Sequence, residues 1–358
     1  MADADLDALR GACTRYLHGH GQVTAAELLA TIPPDTVLDR YGNGGVVADL
    51  EAKIAELLGK PAAVFLPSGT MAQQAVLRVH ADRRQRRTVV FHPMCHLEQH
   101  EGQGYRRLHG LHGRAVGDPN RLVTLADLSA VPEPVAALLL ELPQRDLGGQ
   151  QPSWDELAGQ CDWARSVGAA VHLDGARLWE SAAGYGRPPG EVAALFDTVY
   201  VSFYKGIGAL PGCCVAGPPE IVAEVRQWRE RMGGTLVGLW PNAASALSCL
   251  ATRLPKMPEY LEHAREIAAA LADVDGVRVI PDPPQTSMMH LLLATTRERF
   301  AAKARTCAAE QGVWTWPAAM AKITADPGVQ RVELSVGDAA LALRPAEVAT
   351  IIAAFTAS

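Results

Sequence analysis

The chain has 358 residues, 48% of them hydrophobic and 20% charged, with a formal net charge of −6. This is an ordinary globular composition, long enough for one large domain plus a smaller one. Mild acidity gives no electrostatic ground for nucleic acid or an anionic membrane as partner, and no apolar run approaches the roughly 20 residues that span a bilayer.

The opening Met1-Ala2-Asp3-Ala4-Asp5 is acidic and lacks the basic and then apolar regions of a signal peptide. Apolar residues at helical spacing run from Val47 to Leu58 and stop at Gly59, a natural C-cap. Ala63 to Leu66 then reads as a short strand, broken by Pro67-Ser68-Gly69, and Thr70 to His80 as a helix. Thr88 to Phe91 is a further strand. Val135 to Leu140 is a continuous apolar run stopped by Glu141, as in a strand covered on both faces. Ser153, with Glu156 three residues on, predicts a capping box for a helix through Ser166. Strands at Ala169 to Leu173 and Thr198 to Phe203 complete the central series. This alternation predicts an α/β protein.

Beyond about residue 255 the pattern changes to a separate α+β lobe. It holds a helix over Glu259 to Ala272, strands near Val277 and over Met289 to Leu293, and a helix near Arg297 to Gln311. A strand at Val332 to Val336 and a final helix follow, and Pro281 to Pro284 form a rigid surface turn. Seven cysteines, an odd number without a CxxC pair, argue against a zinc site or disulfide framework and for a reducing cytoplasm. Cys213 and Cys214 read as small buried core residues.

Three segments end or follow a core strand, where open α/β sheets place their ligand sites. Ser68-Gly69-Thr70 joins a strand to a helix, so its N–H groups and two hydroxyls suit a phosphate monoester, or an ordinary N-cap. In Val171 to Arg177, Asp174 ends an apolar strand. There an acid can hold a protonated pyridine nitrogen, or simply cap a turn, with Arg177 either near a ring hydroxyl or solvated. His172 reads as structural. In Ser202 to Gly208, Lys205 follows a buried strand and precedes two glycines. Burial would lower its pKa and favour an amine that forms imines, and the glycines would let the backbone crowd a planar ring. A surface lysine in a Gly-rich turn is the plain alternative.

In this order the segments resemble the threonine aldolase and β-eliminating lyase family of fold-type-I, pyridoxal-phosphate-dependent, transferase-like enzymes. The resemblance runs from about Tyr41 to Gly217, on LLGKPAAVFLPSGTMAQQ (Leu57 to Gln74), VHLDGARLWES (Val171 to Ser181) and YKGIGALPG (Tyr204 to Gly212). It implies an α/β large domain over 41–255 with a mainly parallel seven-stranded sheet, and a small C-terminal α+β domain over 256–358. Residues 1–40 would pack on the small domain or on a partner subunit.

The resemblance further implies that Lys205 carries pyridoxal 5'-phosphate (PLP) as an imine and that Asp174 pairs with the pyridine nitrogen. Arg177 would lie near the ring hydroxyl, while Gly69 and Thr70, with Ser68 and Ser202, hold the phosphate. His96 would lie over the ring and handle protons, with His92 and His100 peripheral. Tyr41, in Asp39-Arg40-Tyr41-Gly42, matches a segment that completes a neighbouring subunit's site, implying a homodimer or homotetramer. Arg331 falls where a substrate carboxylate is bound, or is a surface residue on an edge strand. No metal is implied.

The departures lie in the substrate-reading parts. The family's opening Arg-Ser-Asp-Thr has no equivalent; Cys13 to His18 stand in a longer lead-in. Its Glu-Asn-Thr-His-Asn becomes Glu141-Leu142-Pro143-Gln144-Arg145, losing a histidine at the substrate hydroxyl; Gln144 can only hydrogen-bond there. Its Gly-Gly-Gly-Met-Arg becomes Gly233 to Val237, losing a basic group, and Tyr204 stands where a small polar residue is usual. The expected activity is retro-aldol cleavage of a β-hydroxy-α-amino acid to glycine and an aldehyde, with His96 as base. The alternative is a β-eliminating or β-replacing lyase with Lys205 as base; a third is a non-catalytic relative.

Overall fold

A computed structural model describes residues 3–320 and 326–357. The chain forms two compact units: one of residues 25–146 and 151–255, the other of residues 1–24, 147–150 and 256–358. Residues 25–40 of the lead-in thus cluster with the large unit, and the first 24 with the C-terminal segment.

The large unit is built on seven strands: Ala62–Leu66 (β1), Thr88–Phe91 (β2), His112–Ala115 (β3), Val135–Glu141 (β4), Ala170–Gly175 (β5), Thr198–Ser202 (β6) and Cys213–Gly217 (β7). Their order across the sheet is β1-β7-β6-β5-β4-β2-β3. All run parallel except β7, which lies antiparallel to both of its neighbours. The buried, apolar β4, β5 and β6 form the centre, as continuous hydrophobic runs require. The α/β, mainly parallel seven-stranded architecture is therefore as expected, with two strands unforeseen. One is the polar, largely exposed edge β3; the other is β7, whose cysteines are indeed buried.

Helix α1 (Gly45–Leu58) ends where Gly59 adopts a left-handed φ of 58° and its N–H bonds back to Ala55 and Glu56. Helix α2 (Gly69–Arg84) is longer than its apolar pattern indicates and buries Ala72, Ala75 and Val76 in the cluster that covers one face of the sheet. Helix α3 (Trp154–Ser166) carries the expected box: the Ser153 hydroxyl accepts from Glu156 N–H, and Glu156 accepts from Ser153 N–H. All seven cysteines are buried, and none is in a disulfide.

The second unit contains an antiparallel three-stranded sheet of Val277–Ile280 (β8), Met288–Ala294 (β9) and Val329–Ser335 (β10), ordered β10-β9-β8. The N-terminal pair Arg15–Tyr16 runs parallel to Val313–Trp314 within this unit. Among the described residues no helix is long and apolar enough to cross a membrane.

Candidate active site

The site forms where β1, β4, β5 and β6 end. After β1, Ser68 is extended (φ −140°, ψ 133°) and begins α2, yet its hydroxyl makes no capping hydrogen bond. No side-chain cap thus occupies the first N–H groups of a 16-residue helix, which carry partial positive charge. Gly69 is sterically required: a Cβ there would fall on the Tyr200 hydroxyl.

Glu141, Asp174 and Tyr200 are register partners across β4, β5 and β6, so their side chains share one face of the sheet. Asp174 is 2% exposed, and its Oδ1 accepts from Ala176 N–H at 3.1 Å. Burial pushes its carboxyl up, while Lys205 and His96 pull it back. Glu141 accepts from His96 N–H at 3.0 Å and from Arg145 N–H at 3.1 Å, tying the loop before His96 to the end of β4. Desolvation, with Asp174 beside it, raises the Glu141 carboxyl from 4.5 to about 7.

That shift has a thermal consequence. A carboxyl raised in the folded state stabilises folding in full below its unfolded value and loses that contribution as pH climbs through the folded value. The window is therefore pH 4.5 to about 7. Across it, the melting temperature of Glu141→Gln, measured without added cofactor, is expected to fall a few degrees less than that of the unaltered protein. Calorimetric melts at a series of pH values check this; parallel curves would refute it.

His96 begins a short helical turn, and its Nδ1 lies 3.0 Å from Glu101 Oε1. That hydrogen bond is the main influence raising the imidazole's pKa, against desolvation. The His100 ring is 5.2 Å from that of His96, and its Nε2 is 3.3 Å from Asp146 Oδ2. Lys205 stands in the connection from β6 to β7. Desolvation and the Arg177 guanidinium lower its pKa, opposed by Asp174 and Glu141. The glycine after it is crowded by protein, because a Cβ on Gly206 would strike the carboxylate of buried Glu180.

Gly69, Thr70, His96, Asp174 and Lys205 line one cleft, together with Gln73, Glu101, Ala176, Tyr200 and Tyr204. Ser202 ends β6, buried, and Arg177 begins the helix Leu178–Tyr185. These two, Ser68 and the three expected substrate residues are not among those lining the cleft. Tyr41 is 46% exposed, in a turn whose Asp39 accepts from the N–H groups of Gly42 (2.7 Å), Leu239 and Trp240 (both 2.8 Å). Gln144 is buried, with its amide nitrogen donating to Met94 O at 3.1 Å. Arg331 lies on β10 of the second unit, opposite Leu292. His172 is a wholly buried support, 2.8 Å from both Gln73 Oε1 and Thr198 Oγ1, with burial holding its pKa down at about 3. His92 is turned to the backbone of Asp118 and Arg121.

The donor set fits PLP: open helix N–H groups for a phosphate, a buried acid for a pyridine nitrogen, and a desolvated amine. The Gln73 amide nitrogen, buried in the cleft wall, has no hydrogen-bond partner among the described residues, which suits a polar guest.

Known proteins share this fold and much of this sequence. Over 97% of its length the chain superposes on a structure from Exiguobacterium sp. 255-15, described as a candidate aromatic amino acid β-eliminating lyase/threonine aldolase. The TM-score is 0.91 at 36% identity, covering 99% of that chain. A candidate L-allo-threonine aldolase from Listeria monocytogenes gives a TM-score of 0.91 at 38% identity, over 98% of each chain. Low-specificity L-threonine aldolase 1 of Arabidopsis thaliana is 28% identical over 287 residues, 77% of this chain and 79% of that protein. The profile of the β-eliminating lyases matches residues 26–295. With three quarters of its length inside that profile, on a fold-type-I framework, the chain belongs to the threonine aldolase and β-eliminating lyase family.

Proposed function

We propose that the protein is a PLP-dependent aldehyde-lyase that cleaves a β-hydroxy-α-amino acid to glycine and an aldehyde. The observation that carries this reading is the convergence of Lys205, Asp174 and His96 on one cleft beside the open start of α2.

Lys205 would attach the cofactor, with Asp174 as the acid for its pyridine nitrogen and Arg177 as the partner of its ring hydroxyl. Gly69, Thr70, Ser68 and Ser202 would hold the phosphate, and His96 would serve beside the ring. When bound, PLP supplies an electron sink for the pair released at the substrate Cα. Desolvation lowers the pKa of Lys205, which favours the free amine that acts as a nucleophile. His96 takes the β-hydroxyl proton. The Gln144 amide, engaged with the wall through its nitrogen, is left at most as a hydrogen-bond neighbour of the substrate. Arg331 is retained, on the family resemblance, as the group for the substrate carboxylate.

Tyr41 would act in the site of a second copy within a homodimer or homotetramer. Supporting this, Val37, Leu38, Tyr41, Leu236 and Val237 are exposed apolar residues around one turn, where Tyr41 N–H bonds to Val237 O. Cysteines without disulfides suit a cytoplasmic protein, and the net charge of −6 offers no electrostatic ground for a nucleic-acid or membrane partner.

One observation favours a second reading, β-elimination with Lys205 as the proton-transfer base: the segment after Glu141 offers no histidine for a substrate hydroxyl. Incubation of the PLP-loaded protein with L-threonine, L-allo-threonine, other β-hydroxy amino acids and β-substituted alanines separates the two. Glycine plus an aldehyde is expected. Pyruvate from the substituted alanines, with no aldehyde from any hydroxy amino acid, would replace the aldolase reading.

A further inference from the structure

We propose that Glu101 is a positioning residue: its carboxylate takes the Nδ1–H of His96, which leaves Nε2 with the lone pair that receives the substrate hydroxyl proton. The inference rests on the aldol reading of this cleft and names the group that makes His96 competent for it.

The geometry has three parts. Glu101 Oε1 lies 3.0 Å from His96 Nδ1, and Glu101 is only 8% exposed, so its charge is poorly screened by water. The backbone of His96 is fixed separately by the bond from its N–H to Glu141 Oε2 at 3.0 Å. Ring and backbone are therefore each held by a different carboxylate, and the imidazole has little freedom to turn. Glu101 itself lines the cleft, five residues beyond His96, at the end of the turn that contains both.

An imidazole can offer one acceptor nitrogen only when its other nitrogen holds the proton. A carboxylate beside Nδ1 selects that arrangement and stabilises the imidazolium formed after the transfer. The step balances simply. Nε2 takes the β-hydroxyl proton as the O–H pair becomes the aldehyde π bond and Cα–Cβ breaks. The released pair stays with the glycine fragment, and Cα later takes up one proton. The other groups facing the ring act in both directions. Asp174 raises its pKa and Lys205 lowers it; Glu141 meets its backbone, and the His100 ring stands 5.2 Å away. Among the described residues, Glu101 is the one that touches a ring nitrogen.

The test uses the full-length, PLP-loaded protein with 15N-labelled histidine. In the unaltered protein the His96 signals should report the Nδ1–H form above their inflection. Glu101→Gln should shift that inflection down by about one pH unit and populate the other tautomer. The acid limb of kcat/KM should move down with it, since the base must be neutral to act, and kcat should fall about tenfold or more. The cofactor's visible absorbance should stay.

In a His96→Asn background, Glu101→Gln should cost nothing further. If Glu101→Gln does not fold, Glu101→Asp, which keeps the charge on a shorter arm, should give a smaller shift in the same direction. An unmoved imidazole titration and acid limb would overturn the proposal, as would an equal loss in the His96→Asn background. Absence of aldol cleavage by the unaltered protein would instead overturn the reaction assigned above, while the imidazole signals would still decide whether Glu101 sets the tautomer.

Discussion

Lys205→Ala is expected to lose both the visible absorbance that develops on adding PLP and at least about a thousandfold in turnover. Lys205 is the lysine lining the cleft, and Arg177 cannot replace it, because a guanidinium stays protonated and is a poor nucleophile. The loss should come without unfolding. Lys205 is desolvated and placed near Arg177, so removing its ammonium relieves an unfavourable charge, and the melting temperature before PLP is added should be unchanged or slightly higher. Difference spectra, product assays and melts on the same preparation check the three parts together. Retained absorbance at unchanged intensity would move the attachment point elsewhere.

Asp174→Asn tests charge at nearly constant shape. The asparagine oxygen can keep the bond from Ala176 N–H, so the end of β5 should survive, but the negative charge facing the cleft is gone. Turnover should fall about a hundred- to a thousandfold, the scale on which one preorganised electrostatic contact acts. PLP should remain attached through Lys205, with its absorbance maximum shifted. This separates the two variants: one loses the cofactor's signature, the other mainly the ability to stabilise negative charge drawn from the substrate. Removal of Asp174 also withdraws an influence that raises both Lys205 and His96, so the acid limb of kcat/KM should move to lower pH. An Asp174→Asn variant with ordinary turnover would remove Asp174 from the site.

How far the sequence reveals this arrangement depends on where each signal is stored. The central strands announce themselves by apolar runs such as Val135 to Leu140, because both their faces are covered. The edge strand His112–Ala115 has no such run, being largely exposed and held by one neighbour. β7 was legible as buried but not as a strand, since Cys213 to Gly217 is too short and small-residued for a clear period. In the site, Lys205, Asp174 and Gly69 are legible because each follows or ends a strand. Glu141 was visible only as the residue that stops a run, and Glu101 only as one polar residue among several after His96. What makes them matter is pairing: register with Asp174 for one, a ring nitrogen for the other. The expected reason for Gly206 was also incomplete, since the crowding visible there comes from Glu180.

The reversed strand β7 bears on how Lys205 works. Parallel neighbours need a long crossover, usually a helix, whereas antiparallel ones can be joined directly. Because β7 runs against β6, the chain returns over residues 203–212, pinned at its base where Ser202 pairs with Cys213 and Phe203 N–H bonds to Gly212 O. Bonds from Ala209 N–H to Phe203 O and from Gly208 N–H to Lys205 O fasten the interior. The amine therefore sits on a clamped hairpin tip with little conformational slack. If Lys205 attaches the cofactor as proposed, the four methylenes of its side chain would supply the travel on release and recapture while the main chain stays still. Lengthening this hairpin by even a residue would trade that fixed reach for a search, a heavier loss than the same insertion in an ordinary surface loop.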